Sequence, residues 1–288
     1  MAVLWGVPYL LIRVAVRQLD PGVLVLLRTG PAALLLMPVV THQRAWGALF
    51  KNFKWIAAFG IVEFGVPWYL MSTSERHITS SLTSLIICAV PLFSVAAARL
   101  SSTYEPLTAR RWAGLAAGAA GVALLVGLDL TGGSLTWIGL MLLVVVGYAI
   151  GPLILATKLQ DVPGPAVVCG ATGVVALGWI PYVLGHWPHR VSLETWSSVG
   201  ALSVFCTAGA FLVFFELVKV VGTSRSVVVV YSNTAIAVIL GIVGLHEPFT
   251  VGIALGFPLI VVGSYLATTV TRASAHDASR HPNLAVHE

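Results

Sequence analysis

Charge is what this chain has least of. Only 9% of its 288 residues are Asp, Glu, Lys or Arg, 58% are apolar, and the mean hydropathy is +0.93. Soluble domains carry roughly a quarter charged residues, so this sequence is excluded from that class. Cysteine is also scarce. Cys88, Cys169 and Cys206 all lie in apolar runs without CxxC spacing, which excludes a disulfide framework and a thiolate metal site. No GxxxxGK[ST] stretch occurs, so a built-in nucleotide motor is excluded on motif grounds. His186 and His189 have no third ligand beside them, and a zinc site is not expected there. The opening MAVLWGVPYLL lacks a basic leader region and reads as the first helix rather than a cleaved signal. That helix begins so near residue 1 that a natural start several residues upstream is expected.

What fills the chain instead is long apolar runs. Ten are read, over 2–19, 22–40, 55–74, 81–100, 112–128, 137–157, 165–185, 197–218, 226–245 and 250–270. Most approach the ~20 residues that a helix needs to cross a bilayer, and their continuity excludes the alternating pattern of a β-barrel. The expected fold is an all-α membrane protein with ten transmembrane helices. Turn chemistry separates the runs at Asp20-Pro21-Gly22, Thr131-Gly132-Gly133 and Asp161-Val162-Pro163-Gly164. Trp46, Trp55, Trp112, Trp137, Trp187 and Trp196 fall near run edges, where amphipathic rings favour the interface. The polar stretch 271–288 has no packing pattern and reads as a disordered cytoplasmic tail.

The chain also repeats itself. A shift of 143 pairs Arg76 with Lys219, Ser80 with Thr223, Ser81 with Ser224 and Thr83 with Ser226. A shift of 142 then pairs Glu105-Pro106 with Glu247-Pro248, Gly114 with Gly256 and Gly121 with Gly263. Two five-helix units follow, 1–128 and 137–270.

With the N-terminus inside, the inner segments hold eleven Lys and Arg residues and the outer ones only Arg17, Arg76 and Arg190. This positive-inside bias sets the topology and explains the net charge of +5 without a nucleic-acid partner. Five spans per unit means that the second unit enters the membrane inverted. Inverted repeats give two states of related energy, open to opposite sides, which is the basis of alternating access.

Two stretches carry a family resemblance: RHITSSLTSLIICAVPLFSVAAARLSSTYEPLTARRWAGLAAGAAGVALLV and KVVGTSRSVVVVYSNTAIAVILGIVGLHEPFTVGIALGFPLIVVGSYLA. With Trp5-Gly6 and Arg28, they resemble the drug/metabolite transporter superfamily, in its ten-helix EamA-type branch. The chain departs from that pattern at Thr234, where proline is usual, and at Glu75, where an apolar residue is usual. The resemblance implies a secondary transporter of a small organic metabolite or drug in the plasma membrane, expected to be an exporter, with no cofactor. A membrane-embedded enzyme and a non-transporting scaffold or sensor are the alternatives. The first lacks clustered His, Asp or Cys at a membrane edge, and the second lacks an appended soluble domain.

Glu63 lies mid-run in WIAAFGIVEFGVPWYL. A carboxylate is costly in hydrocarbon, so it is expected to face a cavity or a cation and to couple a proton or bind a substrate amine, with a structural hydrogen bond between helices as the alternative. Arg28 sits ~9 Å and Glu63 ~16 Å from the outer edge at 1.5 Å per residue. An Arg28–Glu63 pair and snorkelling of Arg28 to the surface are both open. Tyr148 and Asn233 add mid-run hydrogen-bonding groups, either for substrate or for helix–helix contact at ~0.6 kcal/mol. Arg13 reads as a snorkelling residue, with a cavity residue as the alternative, and Glu216 as a local partner of Lys219. The clusters Thr79–Ser84 and Thr223–Ser226 read as helix N-caps. Gly114-xxx-Gly118 and Gly252-xxx-Gly256 suit helix packing within the chain, with a homodimer as the alternative. Prolines 8, 31, 67, 91, 152, 181 and 258 read as kinks or shape.

Overall fold

The computed structural model describes residues 1–98, 108–128, 134–188, 190–221 and 228–268. Glu105-Pro106, Thr131–Gly133, Thr223–Ser226 and the tail lie outside them. The described chain is helical, with no strand among its elements. In order these are α1 (Ala2–Ala15), α2 (Pro21–His42), α3 (Trp46–Lys51), α4 (Phe53–Gly60) and α5 (Val66–Ser74). Then come α6 (Ser80–Ile87), α7 (Val90–Ala98), α8 (Ala109–Leu128), α9 (Ser134–Lys158) and α10 (Gly164–Leu184). The last are α11 (Leu193–Ser203), α12 (Ala210–Val221), α13 (Val228–Leu245) and α14 (Val251–Thr268). Five helical stretches are long and apolar enough to cross a membrane: 21–42, 53–74, 135–158, 164–184 and 193–217. Shorter apolar helices cover 2–15, 80–95, 232–245 and 251–266. The chain is a multi-pass membrane protein.

Local chemistry sets where these helices start, bend and stop. Asp20 caps α2 by accepting from the Gly22 N–H at 2.9 Å, with Pro21 opening the helix. Val16–Leu19 leaves the helix, so the first run is shorter than its apolar length suggests. Pro91 has no N–H to give the Ile87 carbonyl, and the fourth run breaks between α6 and α7 at Cys88-Ala89. The short α3, in the connection between the second and third runs, is too brief to be legible as a run in the sequence.

Two π-helical turns interrupt the third and eighth runs. The first, Ile61–Gly65, joins α4 to α5, and the second, Val204–Gly209, joins α11 to α12. Their starts are 143 residues apart, the offset that relates the repeats. In the first, Pro67 leaves the Glu63 carbonyl without its i+4 donor. In the second, the Thr207 hydroxyl donates to the Leu202 carbonyl at 2.8 Å and occupies the widened turn.

Packing follows the same exchange of halves. Helices α2 and α10 pack together, as do α8 and α14, and α6 and α13. The contact of α1 with α13 is matched by α9 with α7, and that of α2 with α11 by α10 with α4. Close approach is made possible in the α8–α14 pair by glycine. A Cβ on Gly263 would meet the Gly114 carbonyl at 2.6 Å, and one on Gly121 the Gly256 carbonyl at 2.9 Å. The glycine stripes are thus used inside the chain.

The turns assigned above to the outside meet at one end of the bundle. Arg76 donates from Nη2 to the Leu19 carbonyl at 2.8 Å. His77 stacks on Trp137 with centroids 3.7 Å apart. The Ser192 N–H donates to Gln18 Oε1 at 2.8 Å, and the Ser80 N–H to Glu247 Oε1 at 2.7 Å. Near the opposite helix ends, the Lys54 and Lys158 ammonium groups lie 5.4 and 5.2 Å from the Trp55 ring.

Candidate substrate site

Arg28, on α2, is 6% exposed in the apolar interior. Its guanidinium lies over the Trp68 ring at 3.6 Å, and its Nε donates to Thr207 Oγ1 at 3.0 Å. The Ser203 hydroxyl donates to the Arg28 carbonyl at 3.0 Å. Trp68 in turn donates from Nε1 to the Tyr148 hydroxyl at 3.1 Å. One polar chain therefore joins α2, α5, α9 and the second π turn, which belong to both sequence repeats. Nη1 of Arg28 is buried without a hydrogen-bond partner. A cation in such surroundings is expensive unless paired, and this donor is left unsatisfied.

Glu63 stands in the first π turn, packed over Gly151 of α9, where a Cβ would strike its carboxylate. Its Oε2 is buried without a hydrogen-bond partner. The expected alternatives for Arg28 resolve differently from both sequence readings. Arg28 does not pair with Glu63, because its guanidinium is already held by Trp68 and Thr207, and it does not snorkel, because it is buried. Glu63 faces a glycine notch rather than a cation.

Asn233 and Tyr148 part company. Tyr148 belongs to the polar chain, whereas Asn233 lies on α13 against α1. Asn233 Oδ1 accepts from the Thr234 hydroxyl at 3.3 Å, and its carbonyl is 2.8 Å from where a Gly6 Cβ would stand. Trp68, Thr207 and Ser203 were not singled out in the sequence. Their signal was faint: Trp68 is far from a run edge, and Ser203 and Thr207 are isolated hydroxyls in an apolar run.

Past the end of α5 the Glu75 carboxyl is fully buried, and neither oxygen has a hydrogen-bond partner. Burial pushes it well above the ordinary glutamate range, Arg13 pulls against that shift, and Glu247 adds to it. Arg13, expected to snorkel, lines a cavity of about 160 Å³ together with Val16, Arg17 and Arg76. The Thr79 cap forms, accepting from the Leu82 N–H at 3.1 Å. Ser80 and Ser81 instead donate to Glu247. The Lys219 side chain, proposed partner of Glu216, lies outside the described residues.

The whole chain is similar to known proteins. The chain is 24% identical over 251 residues to a protein named an uncharacterized inner membrane transporter, YedA of Escherichia coli K12, covering 83% of this chain and 78% of that one. It is 24% identical over 280 residues to a protein named an uncharacterized transporter, YvbV of Bacillus subtilis 168, covering 95% and 90%. A solved crystal structure shares the fold with a TM-score of 0.66 at 18% identity, over 93% of this chain and 94% of that one. The EamA-like transporter family matches residues 1–127 and 135–269, and the chain belongs to that family.

Proposed function

We propose that the chain is a secondary transporter exporting a small organic solute across the plasma membrane, by alternating access between two inverted five-helix halves, 1–128 and 137–270. The observation that carries this reading is the polar chain Thr207–Arg28–Trp68–Tyr148. It crosses between the repeats inside an apolar bundle and leaves Nη1 of Arg28 as an unpartnered donor. Solute sites combine apolar walls with a few convergent polar groups, and transporters place theirs where repeats meet. The matched π turns and exchanged helix contacts support two equivalent halves. The contact of Glu247 with Ser80 and Ser81, at the end where the outer-assigned turns meet, supports the inversion, with both termini cytoplasmic.

Glu63 is the proposed proton-coupling group, since an acid facing a glycine notch without a counter-cation has reason to alternate between charged and neutral forms. Reconstituted vesicles test both parts. Saturable counterflow with some member of a panel of amino acids, nucleosides, sugars and cationic drugs is expected, and none across the panel would favour an embedded enzyme or scaffold. Glu63→Gln is expected to abolish dependence on a pH gradient, and an unchanged dependence rejects the coupling role. Cysteine labelling that found Glu105-Pro106 and Glu247-Pro248 on one face of the membrane would reject the inversion.

A further inference from the structure

Three arginines converge where the sequence has fewest reasons for them. Arg17 and Arg76 are two of only three cations in the segments assigned to the outside, and both line the same cavity as Arg13. Arg13 lies in the last turn of α1, Arg17 in the turn after it, and Arg76 in the α5–α6 turn. Arg76 is fixed by the Leu19 carbonyl at 2.8 Å and by Asp20 at 4.0 Å. Arg13 is half-buried and Arg17 exposed, and neither has a salt-bridge partner among the described residues. Val16, 5% exposed, adds the apolar wall. Two acids lie near. Asp20 is engaged with Arg76, and Glu75 is sealed in the protein beside Arg13. Three arginines lining one cavity leave it with an excess of positive charge, which a bound anion would offset.

We infer that this cavity is an oxyanion site, taking the carboxylate or phosphate group of a small solute. The inference rests on the transporter reading for its assignment to the outer mouth, where it would select anionic solutes. The fit is chemical and steric. Guanidinium forks match the paired oxygens of carboxylates and phosphates. The 160 Å³ space is open on one side, so it admits one such group while the remainder of a larger solute extends outside. A phospholipid headgroup presents the same chemistry as a soluble phosphate.

The test is thermal unfolding of the purified full chain in non-ionic detergent, titrated with inorganic phosphate and, separately, with sodium chloride at equal ionic strength. A saturable rise in the melting midpoint with phosphate alone is expected. In Arg17→Gln the apparent phosphate Kd should weaken by about tenfold or more, and in Arg190→Gln it should not change. Arg17 is exposed, so the variant keeps its fold, which its ligand-free midpoint verifies. A response only to micelles doped with phosphatidylglycerol, lost in Arg17→Gln, assigns the site to a lipid headgroup. An equal response to chloride, no response to either anion source, or an undiminished response in Arg17→Gln overturns the site. Counterflow that is indifferent to Arg17→Gln and to phosphate leaves the transporter reading standing without this inference. Phosphate binding in a protein with no counterflow leaves the site standing without the transporter.

Discussion

The Glu247 carboxylate grips the first turn of α6 through Ser80. Oε1 accepts from both the Ser80 N–H at 2.7 Å and its hydroxyl at 3.0 Å, while Oε2 takes the same two donors from Ser81 at 3.0 and 2.6 Å. A carboxylate satisfies free helix N-terminal donors and favours the positive end of the helix dipole. The grip is tertiary, because Glu247 lies more than 160 residues along the chain. His246, at φ 55°, makes the turn that presents it, and the Glu247 N–H closes the turn on the Gly241 carbonyl at 3.1 Å.

Removing the carboxylate with Glu247→Ala should destabilise the protein by about 1.5–3 kcal/mol, the range for hydrogen bonds to a charged group. Ser80→Ala should cost less, since the backbone donor remains. The melting midpoint of the detergent-solubilised protein reads both. A midpoint unchanged in Glu247→Ala would contradict the grip.

Arg28→Lys keeps the charge but loses the planar group that stacks on Trp68 and the Nε donor that reaches Thr207. Counterflow rates should fall by about tenfold, equivalent to ~1.4 kcal/mol. Thr207→Val should fall less and be non-additive with Arg28→Lys, because the two side chains share one bond. Simple additivity of the two losses would argue against the polar chain acting as a unit.

The glycine notch beneath Glu63 yields a sign test. Gly151→Ala places a methyl group against the carboxylate and should destabilise the wild-type background. In a Glu63→Ala background the same methyl group meets vacated space. The double-mutant cycle should show a coupling of about 0.5–3 kcal/mol, measured by thermal or chemical unfolding. Equal effects in both backgrounds would mean that the two residues do not touch.

Glu75 predicts a pH dependence of stability. Its folded carboxyl is raised by burial, so the fold favours the neutral acid. Its contribution is full below the ordinary glutamate range and is lost as pH rises towards the folded value. Glu75→Gln should therefore raise the melting midpoint at pH 7 and flatten its decline with pH. A lower midpoint in Glu75→Gln at neutral pH would show that the charged form is needed, with Arg13 as its partner.

Membrane residence, the helical runs and the offset of 143 were legible in the sequence because each is a one-dimensional property. Apolar length against bilayer thickness needs no knowledge of neighbours, nor do prolines and caps. The early end of α1 was not legible, since Val14–Val16 continues apolar up to Arg17, whereas Pro91 marks the break at Cys88-Ala89.

The site divided along the same line. Glu63, Arg28 and Tyr148 were visible as polar residues within apolar runs, since burying such groups demands a partner. Which partner was not visible. The guanidinium selected Trp68 and Thr207 over Glu63, Glu247 found α6, and Arg76 came to line one cavity with Arg13 and Arg17, all by bringing distant segments together. Sequence alone determined that this chain is a membrane-spanning helical repeat with a few polar residues inside it. Only the tertiary structure decided who meets whom, because hydrogen-bond and cation–π partners are fixed by distances of a few ångströms that helix packing sets and residue order does not.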